Sequence, residues 1–444
     1  MTAHKHFKAL VRERMVKTGE SYTSARRQIL RDSTEPAAAQ NRRHTAGSIP
    51  PAVALRVLLN AAGLRDPATG GPISEALAFG VAGGIGIGVA QFFYEKEDFA
   101  SLFVAGRHAW HDDAVFLRAG LERLGVAFEC SESGSAKAAE ANLRKALAEG
   151  NPCVAFVDMA CLPHRAMPPQ YQGGGYHVIV VYSIDDARGV ARIGDVADEP
   201  IEIALADLAK ARARIAKFKN RIISLKAGAA AAKADIGGAI RAGLAACHAG
   251  LVTPAIRGQA KMFTLAGLES LAERMADSKD ADRWERVFAD GHRLWSALTG
   301  LHDYVENYGT GGGLCRPMFA DFLAYAGARL KQPELTALSE RYRALGRLWT
   351  ELSEAALPDD VPAFRDARER FAQRAEAIAS GDIEALRGAW AKIAGLQYGA
   401  KEAFPLSAAA AVELRRSLQQ RVHALHREEV AAHAALGEAL AKLS

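Results

Sequence analysis

With 444 residues, 49% of them hydrophobic and 24% charged, the chain can bury two sizeable cores and has a globular composition, not a disordered or fibrous one. The formal net charge is only +5, and no apolar run approaches the roughly 18 to 20 residues that span a bilayer, which sets aside an integral membrane protein. Five cysteines, Cys130, Cys153, Cys161, Cys247 and Cys315, lie far apart with no C-x-x-C pair, which excludes a disulfide framework and a zinc ribbon and reads as reduced thiols.

Residues 1–43 hold ten Lys or Arg against four acidic residues, a local +6 that leaves the remainder near neutral. No apolar segment backs these basic residues as a secretory signal would have, so a cytoplasmic location is expected. The spacing of Phe7, Leu10, Val11 and Met15, and then of Tyr22, Ala25, Ile29 and Leu30, predicts two short helices broken at Thr18-Gly19, followed by a linker. A nucleic-acid or acidic-protein partner would meet this arm first. With Phe7 and Tyr22 as its aromatics and no DNA-reading motif, the arm fits docking or solubility better than nucleic-acid binding.

From residue 44 the pattern becomes α+β. "PPAVALRVLLNAAGL" predicts a helix with prolines in its first turn, where a missing N–H is harmless, and "ISEALAFG" predicts a second helix capped by Ser74. The run "FGVAGGIGIGVAQFFYE" has neither the G-x-G-x-x-G spacing of a dinucleotide site nor the Lys-Ser/Thr of a P-loop. Its glycines mark positive φ or close backbone approach, with ligand contact at Gly83, Gly84 and Gly86 as the functional alternative. Helix and strand patterns then interleave. "GYHVIVVYSID", "VARIGDV" and "EPIEIA" predict an antiparallel sheet, "LADLAKARARIAK" a closing helix and "RIISLKAG" a last strand at about residue 226.

Residues 235–444 read as a helical bundle. Its last segment predicts one long helix that packs on its neighbours or on a second copy of the chain, so a homo-oligomer through the C-terminal helices is an expectation. "VENYGTGGGLCRPMF" predicts a tight turn between helices, or bare N–H groups at Gly311 to Gly313 that with Arg316 would hold an anion. His426, Glu429 and His433, and likewise His302, Asp303 and Glu306, recur at helical spacing. Packed or solvated helix faces explain both sets better than metal ligation, and no metal or cofactor is expected.

The most informative stretch is "GGGYHVIVVYSIDDARGVARIGD". His177 opens an apolar strand and Asp195 closes the next, so the two side chains can meet across the ladder as a base and its orienting carboxylate, or His177 can be a strand-end histidine with satisfied polar atoms.

"GSIPPAVALRVLLNAAG", "ISEALAFGVAGGIGIG", "GGYHVIVVYSID" and "RIGDV" resemble the butirosin biosynthesis protein H family over residues 44–226, and "VENYGTGGGLCRPMFADFLAYA" resembles the helical domain of unknown function that commonly follows it. The resemblance implies a papain-like fold and acyl transfer from a carrier thioester to an amine. It also implies a cysteine nucleophile at the start of the first helix, with His177 as its base and Asp195 as the orienting acid. Here the cysteine position falls on Pro50 or a neighbour, and no cysteine precedes Cys130. Proline offers neither nucleophile nor proton. Ser48, the nearest hydroxyl, reads as a helix cap or as a substitute nucleophile, and Cys153 and Cys161 read as core and loop residues. The first functional expectation is therefore a degenerate papain-like module that binds a partner such as an acyl carrier or a small amine or peptidyl ligand. The second is an acyltransferase or hydrolase using Ser48 and His177, and the third is binding through the basic arm.

Overall fold

The structure is a computed structural model that describes residues 46–228, 234–289 and 291–443, together with residues 13, 14 and 25. Apart from those three positions, the basic arm with its two expected helices lies outside the described residues.

The chain enters its first core at α1 (Pro50–Ala61), whose apolar residues are buried on nearly every face. Ser48 does not cap this helix. The cap position is Ile49 with no side-chain hydrogen bond, and the Glu75 carboxylate accepts from the Ser48 and Ile49 amides at 3.0 and 2.8 Å. A full carboxylate at the positive end of a helix serves the orphan amides better than a neutral hydroxyl would. Glu75 opens α2 (Glu75–Val81), which Ser74 caps as its sequence predicts. Gly83 and Gly84, at φ +123° and +61°, then reverse the chain into β1 (Ile85–Tyr94), paired antiparallel with β2 (Phe99–Arg107).

After α3 (Asp113–Arg123), β3 (Phe128–Ser131) and α4 (Ala136–Ala148) come the sheet strands proper: β4 (Cys153–Asp158), β5 (Tyr176–Asp185), β6 (Val190–Gly194) and β7 (Ile201–Ala204). α5 (Leu205–Ala213) and β8 (Ile222–Leu225) complete this part. The sheet has the order β3-β8-β4-β5-β6-β7 with every neighbour antiparallel, so the last strand is threaded between β3 and β4. Alternation of residues sends Val154, Phe156, Val178 and Val180 into the core beneath α1, and Cys153, Ala155, Ile179 and Val181 toward α4 and α5.

The C-terminal half is helical: α6 (Ile236–Gly250), α7 (Ala260–Phe263), α8 (Ala266–Met275), α9 (Trp284–Val287), α10 (Gly291–Glu306), α11 (Arg316–Leu330), α12 (Pro333–Ala356), α13 (Pro362–Ser380), α14 (Ile383–Glu402) and α15 (Ala408–Ala441). α15 is the expected single long helix, 34 residues, and buries Leu418, Val422, Leu425 and Leu436 against α8 and α12. One apolar cluster joins this half to α1, α2 and the β1–β2 hairpin. No described helix is long and apolar enough to cross a membrane.

The glycine-rich segment at 309–315 is the interhelical turn between α10 and α11. Gly309, Gly311, Gly312, Gly313, Leu314 and Cys315 all have positive φ. Arg316 beyond it is fully buried and committed inside the protein. It donates to Glu429 at 2.7 Å and to the carbonyls of Leu314, Gly86 and Gly106 at 2.8, 3.3 and 3.4 Å, which ties the turn to α15 and to the hairpin. Trp349 of α12 donates to the same Glu429 oxygen at 2.8 Å.

Candidate functional site

Asp195 follows β6 directly and is buried at the centre of a four-donor network. Arg165 donates to both of its oxygens, Nη2 at 2.7 Å and Nε at 2.8 Å, His164 Nε2 lies 3.0 Å from Oδ2, and His177 Nε2 lies 3.0 and 3.1 Å from Oδ1 and Oδ2. Burial alone would raise the Asp195 carboxyl, but the Arg165 guanidinium and the two imidazoles overcome it and hold the group well below the usual carboxylate range. The side chains are placed by two elements. His177 is the second residue of β5, and His164 and Arg165 come from the short helical turn Pro163–Arg165, whose proline sets the backbone at its start.

The Arg165 Nη2 also lies 3.2 Å from His177 Nε2, so one geometry permits two tautomers. An imidazole lone pair aimed at an anion about 3 Å away is repelled, whereas an Nε2–H aimed at it is attracted, so we assign the proton to Nε2. Nδ1 of His177 then carries the free lone pair, the arrangement of a base oriented by a carboxylate. His164 is likewise held by Nε2–H on Asp195. Its Nδ1 is buried without a partner among the described residues, and burial, against the pull of Asp195, lowers its proton affinity.

His177 and Arg165 border a cavity of about 570 Å3 between the sheet, the hairpin and the helical half. Pro50 and Pro51, in the first turn of α1, form part of its wall. Arg107 of β2, paired with Asp113 of α3, forms another. Burial lowers the Arg107 proton affinity and raises that of the Asp113 carboxyl, and each opposes the shift of the other. Phe103, Trp110 and Tyr304 give an aromatic side, with ring centroids 5.2 Å apart for Phe103–Trp110 and 4.9 Å for Phe103–Tyr304.

The structure thus brings His177 and Asp195 into contact. Ser48 is 9% exposed and is not among the residues that line the cavity. Gly83, Gly84 and Gly86 are also away from its wall. A Cβ on them would meet the His108 ring, the Phe319 ring and the Arg107 carbonyl, so all three mark close approach, and Gly83 and Gly84 also have positive φ. Cys153 lies in the core of β4 and Cys161 in a buried turn. Of the two sets weighed for metal, Glu429 pairs with Arg316, the His433 ring stacks on His248 at 4.0 Å, His302 Nδ1 lies 3.2 Å from the Ser353 carbonyl and Glu306 accepts from Thr350.

His164, Arg165, Arg107, Asp113 and Cys315 escaped the sequence reading. Two adjacent ionisable residues in "CLPHRAM", a short apolar loop just ahead of the histidine strand, were the signal for the first two. Cys315 borders the cavity from the glycine turn, but its exposed surface is 0%.

Residues 52–196 match the family model described as butirosin biosynthesis protein H, N-terminal, and residues 206–387 match the one described as domain of unknown function (DUF4872). The first match begins just beyond Pro50 and Pro51. No curated protein matches the chain.

Proposed function

We infer, from the chain being a butirosin biosynthesis protein H-type papain-like domain joined to a helical domain of unknown function, that it works by binding a ligand or partner in the cavity beside His177, and not by thiol acyl transfer. The observation that carries this reading is the position of Pro50 and Pro51: they occupy the first turn of α1 on the wall of the cavity that His177 also borders. A nucleophile at that helix start would face its base, and proline has no proton to give and no atom to attack with. The retained Asp195 network keeps a buried imidazole and guanidinium in fixed places, which suits recognition as well as catalysis.

The test is turnover of acyl N-acetylcysteamine thioesters, with and without a primary amine acceptor, by the full chain and by His177→Ala. The expected rate does not rise above the buffer rate and does not change on substitution. Turnover that His177→Ala abolishes would overturn the binding reading in favour of acyl transfer, and its loss in Ser48→Ala as well would assign the serine as nucleophile.

A further inference from the structure

A second cavity of about 200 Å3 adjoins the one beside His177, and the two share Ser101, Met167, Tyr304, Tyr308, Arg374 and Trp390 as a common wall. Arg374 of α13 is 3% exposed and its guanidinium carbon lies 4.9 Å from the Trp390 ring centroid and 5.2 Å from that of Phe371. Among the described residues only Asp303 accepts a hydrogen bond from it, through Nη2, and its buried Nε has no partner. Arg165 contrasts with it, since Asp195 takes two of its hydrogen bonds. A buried guanidinium with unused donors costs free energy that an acceptor would recover, and its planar fork matches an oxyanion.

Two neighbours add donors. Tyr308 keeps 38% of its surface open, and neither its hydroxyl nor that of Tyr304 has a hydrogen-bond partner among the described residues. A tyrosine phenol is protonated at neutral pH, so both offer O–H. The charge balance of the wall agrees. Arg107, Arg165 and Arg374 each have an aspartate partner, so the three guanidinium charges of the wall are matched and the ligand is expected to carry no more than one negative charge.

We propose that the two cavities form one site for a small monocarboxylate with a flat apolar body, the carboxylate held by Arg374 with Tyr304 and Tyr308 and the body lying along Phe103 and Trp110. This rests on the reading of the cavity as a binding site and names its ligand class. The test titrates the full chain with 2-naphthoate, its neutral amide 2-naphthamide and 2-naphthyl phosphate, followed by tryptophan fluorescence and saturation-transfer NMR. The acid is expected to bind at least tenfold more tightly than the amide and more tightly than the phosphate. Tyr308→Phe, which removes one oxygen and keeps the ring, and Arg374→Lys are each expected to remove most of that preference by weakening the acid far more than the amide. Acid and amide binding alike, or the phosphate binding best, would overturn the carboxylate assignment and leave the binding reading standing. No binding by any of the three would overturn the assignment of a flat apolar monocarboxylate, while the binding reading itself stands or falls by the turnover test. The acid-to-amide ratio of the unsubstituted protein decides the matter even if Arg374→Lys fails to fold.

Discussion

At the scale of single residues, Asp195 sets the terms of the site, because one buried carboxylate answers a guanidinium and two imidazoles. Removing its charge leaves Arg165 buried without a counter-ion. Breaking such a pair from one side costs about 3 to 5 kcal/mol, so Asp195→Asn is expected to lower the urea unfolding free energy at pH 7 by about that amount. The Asp195 carboxyl is held below its unfolded value of about 3.9, so its contribution is present above that pH and is lost as the pH falls through the folded value. The substituted and unsubstituted chains should therefore converge in stability on acidification below about pH 4; a gap that is absent at pH 7, or that widens in acid, would contradict this account. The His177–Asp195 pair was legible because a hairpin fixes which residues of adjacent strands are near each other. His164 and Arg165 were not, because their approach depends on where a loop is carried by the whole fold.

At the scale of elements, the glycine run shows both what a pattern can tell and where it stops. Its positive φ and close approach were readable, but the β1 strand inside it was not, since glycine has low strand propensity and the strand is held by its pairing with β2, with Arg107 and Trp110 close against its glycines. The same logic separates glycines that must stay from glycines that need not. A Cβ on Gly80 of α2 would sit 2.1 Å from the Phe322 ring of α11, whereas one on the exposed Gly388 of α14 meets nothing within 4 Å. Gly80→Ala is expected to cost about 1 to 3 kcal/mol through overpacking of the joint between the two halves. Gly388→Ala should gain about 0.5 to 1 kcal/mol from helix propensity. Thermal midpoints that move the same way in both would show that the α2–α11 contact is looser than the geometry states. The interleaved helices and strands and the long α15 followed from periodicity, while the order of the sheet did not, because β8 reaches its place between β3 and β4 only after the rest of the sheet is named.

At the scale of the whole molecule, the two halves share one apolar cluster, and two imidazoles are enclosed, His108 where the halves meet and His302 within the helical half. His108 sits between the Gly83 turn and Gly250 at the end of α6, and His302 of α10 donates from Nδ1 to the Ser353 carbonyl of α12. Burial, aided for His108 by Arg123 and Arg107, lowers both to about 4, and it also lowers His111, His164 and His248. Folded rings that resist protonation while unfolded ones accept it near pH 6.5 make the unfolded chain the better proton acceptor, so stability rises with pH between about 4 and 6.5. Each of His108 and His302 contributes on the order of 3 kcal/mol, fully present above pH 6.5 and lost as the pH falls toward 4. Urea midpoints are therefore expected to fall steeply from pH 7 to pH 4.5, before the carboxylates titrate. Asparagine in place of His302 keeps a donor near the Ser353 carbonyl but cannot take up a proton, so His302→Asn should flatten that fall by about one proton's worth of slope. Unchanged midpoints across this range would mean that water reaches these rings more readily than their surroundings imply.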